Sequence, residues 1–168
     1  MENKRASLSI KIYGEPILRK KASKVNKIEK DDISIIEKMI DAMFANEGIG
    51  LAAPQIGVSK QIIVVNGGKD KDIIKLINPV ILKREGEEEA KEGCLSIPDI
   101  YVEVKRSSNV TVEGLDEKGE PVKIEAEGLL SRTLQHEIDH LSGILIVDYA
   151  SPVSKIIVKK QLKKLRRL

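Results

Sequence analysis

The sequence predicts an α+β fold, with antiparallel β-sheets packed around a central helix and further helices near the N-terminus and at the C-terminus. Three observations predict it. An apolar stripe of helical period lies at residues 33–44, a block of short β-branched or alternating runs fills the middle of the chain, and helical periodicity returns only after residue 128. Strands gathered in one block, with helices outside it, favour helices laid on antiparallel sheet. At 168 residues the chain fits one domain, 1–168, with a core large enough to fold alone.

Residues 1–30 are basic and interrupted by Gly14-Glu15-Pro16, a turn signal, after a short strand expected around Leu8–Ile12. Asp31 and Asp32 supply a cap and a favourable charge for a helix whose apolar face is Ile33, Ile36, Ile40, Met43 and Phe44, ended by Gly48. Gly48 to Gly57 is rich in small residues and unsuited to a regular surface element. Ile62–Val65 and Ile73–Leu82 read as strands, with Pro79 placing the second at an edge or bending it. The acidic run Glu85–Glu92 reads as a solvated loop or strand edge. Tyr101, Val102 and Val104 form one alternating run. Val110, Val112 and Leu115 pair through the Asp116–Gly119 turn with Val122, Ile124 and Ala126. Gly128 opens a helix that Gly143 ends as a left-handed cap, and a last helix, residues 153–168 with Pro152 in its first turn, carries the C-terminus.

Composition narrows the function classes. Hydrophobic residues make up 41%, but with one Phe, three Tyr and no Trp the core must be aliphatic, and stacking platforms for single-stranded nucleic acid are missing. A net charge of +3, from 29 basic and 26 acidic residues, implies no particular partner for the chain as a whole and no sequence-specific DNA binding. One cysteine makes no internal disulfide and suits a reducing compartment. No apolar run reaches membrane-spanning length, and Met1–Arg5 leads into no signal-peptide core, so a cytoplasmic protein without membrane contact is expected.

The chain's two histidines stand four residues apart in Leu134-Gln135-His136-Glu137-Ile138-Asp139-His140-Leu141. Positions four apart share a helix face, so two imidazoles can grip one metal ion while the intervening Glu leans beside it. A catalytic site of zinc type needs three protein ligands and an open position for water. One scheme places a third His six residues beyond the second, but residue 146 is Ile; no Glu follows Glu137, and Asp148 is the only carboxylate beyond the motif. Upstream stands Cys94, in Glu92-Gly93-Cys94-Leu95-Ser96. Lone cysteines are commonly small buried hydrophobes. Beside a histidine pair short of one strong ligand, Cys94 becomes the preferred third ligand, and Asp148 the second choice.

Gly48-Ile49-Gly50-Leu51-Ala52-Ala53-Pro54-Gln55, Glu92-Gly93-Cys94-Leu95-Ser96 and Gln135-His136-Glu137-Ile138-Asp139-His140 resemble, in this order, the three signature motifs of peptide deformylases. The similarity extends over nearly the whole chain and is weakest in the first thirty residues. It implies an α+β fold, removal of the formyl group from N-formylmethionine on nascent polypeptides, and the ligand set Cys94, His136 and His140. It also implies Fe(II) as the native metal, with Zn(II) or Ni(II) able to substitute. Glu137 then takes the proton of a metal-activated water and passes it to the departing amine. The resemblance assigns oxyanion stabilisation to the Gln55 side chain and the Leu95 backbone N–H.

Gly50 and Ala52 read as places where substrate backbone comes close. Leu129 and Thr133 share a helix face with His136, and Ile49 resembles the family's pocket residue on the opposite wall, which gives the methionine side chain an apolar pocket. Glu92 is expected along the substrate and, with Arg106, matches a buried carboxylate–guanidinium pair that braces the cysteine loop. Tyr101 stands where some members carry an Arg that helps to hold the substrate backbone, a contact this chain departs from. After Asp148 no acid follows, and Lys155, Lys159, Lys160, Lys163, Lys164, Arg166 and Arg167 accompany an apolar line of Val158, Leu162 and Leu165. That pattern is an amphipathic helix with a solvated basic face or one that contacts RNA phosphates, and deformylases like this one are thought to dock at the ribosome through it. The competing readings are an HExxH endopeptidase with Asp148 as third ligand, and a structural metal site on a ribosome- or RNA-binding module.

Overall fold

The computed structural model describes residues 8–68 and 72–166. Among these residues seven strands and three α-helices follow one another as α1 (Lys30–Ala45), β1 (Gly50–Ala52), β2 (Ile62–Asn66), β3 (Ile73–Glu85), β4 (Glu88–Cys94), β5 (Ile97–Arg106), β6 (Asn109–Leu115), β7 (Pro121–Glu127), α2 (Gly128–Leu141) and α3 (Pro152–Leu165). Every strand pairing is antiparallel. A five-stranded sheet has the order β1-β2-β3-β6-β7, and β4 and β5 form a separate two-stranded sheet.

The large sheet is covered on both faces, which explains why Ile62-Ile63-Val64-Val65 lacks polar alternation. Ile62 and Val64 join Ile36, Met39 and Met43 of α1 in one core cluster. Ile63 and Val65 face the other way, into a cluster with Leu76, Val110, Val112, Leu134 and Leu141. Each such fully buried side chain contributes about 1.5–3 kcal/mol. A third cluster packs Ile100, Val102 and Val104 of β5 on Leu145, Val158 and Leu162. Helix α2 therefore packs on the large sheet through Leu134 and Leu141, and reaches β4 and β5 through the polar side chains of Arg132, His136 and Asp139.

Several expectations change in detail. No strand forms at Leu8–Ile12: Lys11 N donates to Gln55 O and Tyr13 N to Ser96 O, two different elements, so no ladder can build. The cap of α1 is Glu29, and Asp32 sits inside the first turn, accepting from the Glu29 N–H at 2.9 Å while pairing with Lys60. The buried stripe runs through Asp32, Ile36, Met39 and Met43, about one residue round from the expected one, leaving Phe44 53% exposed. The turn after α1 is made by Glu47, at φ 55°, with Gly48 N returning to Met43 O.

The Gly48–Gly57 segment, read as unsuited to a regular surface element, is largely interior. It forms buried β1 and the buried 3-10 turn Ala53–Ile56. Pro79 lies in a central strand at a break in register between Ile77 and Val80, where a residue without an N–H costs no ladder bond; it bends β3 and marks no edge. The acidic run is mostly strand β4, and its Glu92 is buried.

Gly143 ends α2 at φ 72°, and a Cβ there would lie 2.5 Å from the Arg19 carbonyl oxygen, so only glycine fits. Arg167, expected in the basic helix, lies outside the described residues.

Candidate metal centre and substrate cleft

The second half of α2 carries His136, Glu137 and His140, and the β4–β5 turn brings Cys94 to them. One ligand atom from each of Cys94, His136 and His140 lies within 4.8 Å of the others, with Cys94 Sγ 3.4 Å from His140 Nε2. Asp148 is not in this cluster: its carboxylate is bound to Arg19 and to the Leu145 N–H, so the rival third ligand is committed elsewhere.

His136 Nδ1 lies 2.9 Å from Glu92 Oε2, which leaves Nε2 as its free ligand atom. Buried His140 Nδ1 and Glu137 Oε2 have no hydrogen-bond partner among the described residues. A sulfur and two imidazoles suit a borderline divalent cation of the zinc or iron type. With unsatisfied polar atoms beside them, these residues fit a metal that keeps an open coordination position.

The two histidines differ electrostatically. Burial opposes charge on His136, but the neighbouring Cys94 and Glu92 outweigh that, and its pKa lies well above 6.5. Burial and the nearby His136 push His140 well below 6.5. Glu137, only 4% exposed, is raised to about 7, chiefly by burial, a suitable value for a group that accepts and returns a proton near neutrality. A Cβ on Gly50 would lie 2.6 Å from Glu137 Oε1 and 2.9 Å from Thr133 Cγ2, so this glycine makes room for the carboxylate.

Gln55 is almost fully buried and held at both ends. Its Oε1 accepts from Ala52 N at 2.9 Å, while Nε2 donates to Ser96 Oγ at 3.1 Å and faces Cys94 Sγ at 3.6 Å. One amide N–H is thus given to Ser96, and the other faces Cys94 at the centre. A cleft of about 720 Å³ opens over these residues, walled by Ile49, Leu95, Tyr101, Leu129 and Thr133. Ile49 is 48% and Leu129 66% exposed, apolar surface left open within a concave site. Tyr101 lays its ring over Gly93 at the rim, 3.0 Å from where a Cβ would stand.

The expected Glu92–Arg106 pair is present, with Arg106 Nε and Nη2 donating to the two carboxylate oxygens at 2.9 and 3.0 Å. Arg132 Nη1 adds a bond at 2.8 Å and His136 a fourth, so every lone-pair direction of Glu92 is filled. Its carboxylate is thereby committed to His136 and the two guanidiniums, while Glu92 also lines the cleft. Burial pushes its carboxyl up, but His136 and Arg106 outweigh that and hold it at about 2.

Sequence reasoning missed Arg132, Ser96, Asp139 and Tyr149. Arg132 carried a signal, standing four residues before His136 on the same helix face. Ser96 and Tyr149 carried none, because their partners come from other elements.

Fold and site together define a hydrolase built around a candidate Cys-His-His metal centre. The family profile described as polypeptide deformylase matches residues 7–155. The peptide deformylase of Halothermothrix orenii is 52% identical over 141 residues, covering 84% of this chain and 92% of that protein. The crystal structure of the Legionella pneumophila peptide deformylase superposes with a TM-score of 0.88 at 43% identity, covering 94% of each chain. That of Synechococcus elongatus, solved in complex with actinonin, gives 0.85 at 40% identity over 94% of this chain and 85% of that one.

The chain belongs to the polypeptide deformylase family. It is a hydrolase that removes the N-terminal formyl group from formylated polypeptides, in a family that depends on a metal.

Proposed function

We propose that Cys94, His136 and His140 hold the metal, Fe(II) in the native enzyme with Zn(II) or Ni(II) able to substitute, and that the substrate is the N-formylmethionine of nascent chains. The observation that carries the assignment is the convergence of these three side chains beside a buried, unpartnered Glu137 oxygen. A bound divalent cation supplies Lewis acidity, lowering the pKa of water and polarising the formyl carbonyl.

The chain's own residues do the rest. Glu137 takes a proton as water oxygen bonds to the formyl carbon. The Gln55 amide and the Leu95 N–H stabilise the oxyanion. Glu137 returns the proton to the amine nitrogen as the C–N bond breaks, and formate leaves. Ile49, Leu129 and Thr133 receive the methionine side chain, and Gly50 keeps the wall low where substrate backbone passes.

The basic face of α3 is exposed at Lys155, Lys159, Lys160, Lys163, Lys164 and Arg166, and no acid follows Asp148 to oppose it. We place the enzyme in the cytoplasm, with this face meeting ribosomal RNA phosphates. Among the described residues no helix is long and apolar enough to cross a membrane. Removing residues 153–168 should abolish co-sedimentation with ribosomes in low salt; unchanged co-sedimentation rejects that contact.

The decisive experiment is formate release from formyl-Met-Ala-Ser by protein purified without oxygen and loaded with Fe(II), beside Cys94→Ala and Glu137→Ala. Turnover by wild type and its loss in both variants are expected. An inactive wild type, or cleavage of internal peptide bonds instead, overturns the reading.

A further inference from the structure

The hydrogen bonds behind His136 do not stop at Glu92. Arg106 holds Glu92 through Nε and Nη2 and turns Nη1 away from it, to Asp139 Oδ2 at 2.5 Å and to the Tyr149 hydroxyl at 3.2 Å. The Tyr149 hydroxyl donates to the same Asp139 oxygen at 2.6 Å, and the Arg106 guanidinium carbon lies 4.7 Å from the Tyr149 ring centroid. Arg106 and Glu92 are both about 5% exposed at the side chain whereas Tyr149 is 38% exposed, so the network runs from the surface to the buried centre. Tyr149 belongs to the 3-10 turn Ile146–Tyr149 after α2 and is not among the residues lining the cleft.

A guanidinium is planar and rigid, so pinning one edge fixes where the other edge points. Glu92 is gripped by one edge of Arg106, and it in turn fixes the imidazole of His136 through Nδ1. Such outer partners orient ligands and set how tightly a metal is held. We propose that Tyr149 and Asp139 are positioning residues for the metal centre, acting on His136 through Arg106 and Glu92. The inference rests on the reading that Cys94, His136 and His140 hold the metal.

Co(II) alone is the probe, with its sulfur-to-metal absorption reporting occupancy and its release timed against excess EDTA. Tyr149→Phe and Asp139→Ala should each speed release about tenfold. They should lower kcat with KM unmoved, since neither residue touches substrate. The double variant should be no faster than the faster single one, because both act through one guanidinium. Ile36→Val, which loosens α1 in the first core cluster, serves as the stability control and should leave release at the wild-type rate.

Release from Tyr149→Phe and Asp139→Ala at the wild-type rate overturns the inference while leaving the metal centre standing. So does full additivity in the double variant, or equal acceleration in Ile36→Val. A wild-type protein with no Co(II)–sulfur absorption instead removes the metal assignment itself.

Discussion

Helices α2 and α3 are both 14 residues long, and they are built for opposite ends. Helix α3 buries Val158 and Leu162 and leaves its lysines, with Val153, Ile156 and Ile157, exposed to water. Helix α2 buries Ser131, Arg132, Thr133, Gln135, Glu137 and His140 along with Leu134 and Leu141. Polar burial on that scale is destabilising unless each group finds a partner. Most do: Gln135 bonds Ser107 and Ser131, and Arg132 bonds Glu92 and two backbone carbonyls. Among the described residues the exceptions are Glu137 Oε2 and His140 Nδ1, both on side chains that belong to the centre. Where a helix carries unmatched polar atoms inside a matched network, function accounts for the mismatch.

The difference can be broken at its strongest point first. Glu137→Gln keeps the shape of α2 and removes its proton carrier, so kcat should fall about 10²–10⁴-fold while metal content, read by elemental analysis, stays that of wild type. Next comes the supporting network. Arg132→Met leaves Glu92 short of a cation in a buried site and should destabilise by about 3–5 kcal/mol, measured by urea unfolding.

A smaller effect distinguishes the unmatched carboxyl itself. Glu137 has a folded pKa of about 7 against an ordinary 4.5, so its contribution to stability is full below about 4.5 and is lost as pH rises through about 7. In metal-free protein, Glu137→Gln should therefore gain on wild type between pH 5 and pH 8, by roughly 1–3 kcal/mol, followed by thermal unfolding across that range. On α3 the corresponding change should do almost nothing. Lys159→Ala with Lys163→Ala should shift stability by no more than about 0.5 kcal/mol and leave kcat/KM on formyl-Met-Ala-Ser unchanged.

The comparison also shows what could be read in advance. His136, Glu137 and His140 were legible because helical periodicity puts them on one turn, and Cys94 because the pair lacked a ligand. The strand block and the antiparallel pairing of β6 with β7 were legible from alternation and a tight turn. The stripe of α1 was misplaced by about one residue because Met39 and Ala42 fill the face that Phe44 was expected to fill. Glu92 was half understood. Its pairing with Arg106 was expected, while its bonds to His136 and Arg132 depend on how α2 lies across β4.

By itself the sequence determined which residues share a helix face, where turns interrupt the strands, and which chemistry two imidazoles, a carboxylate and a sulfur could offer. Tertiary structure alone decided that Ser96 would hold Gln55, that Asp148 would go to Arg19, and that Tyr149 would reach the guanidinium behind His136. The reason is physical. Local periodicity is fixed by backbone geometry within a few residues, whereas these contacts join side chains from separate elements, and their distances are set only when helix and sheets pack against one another.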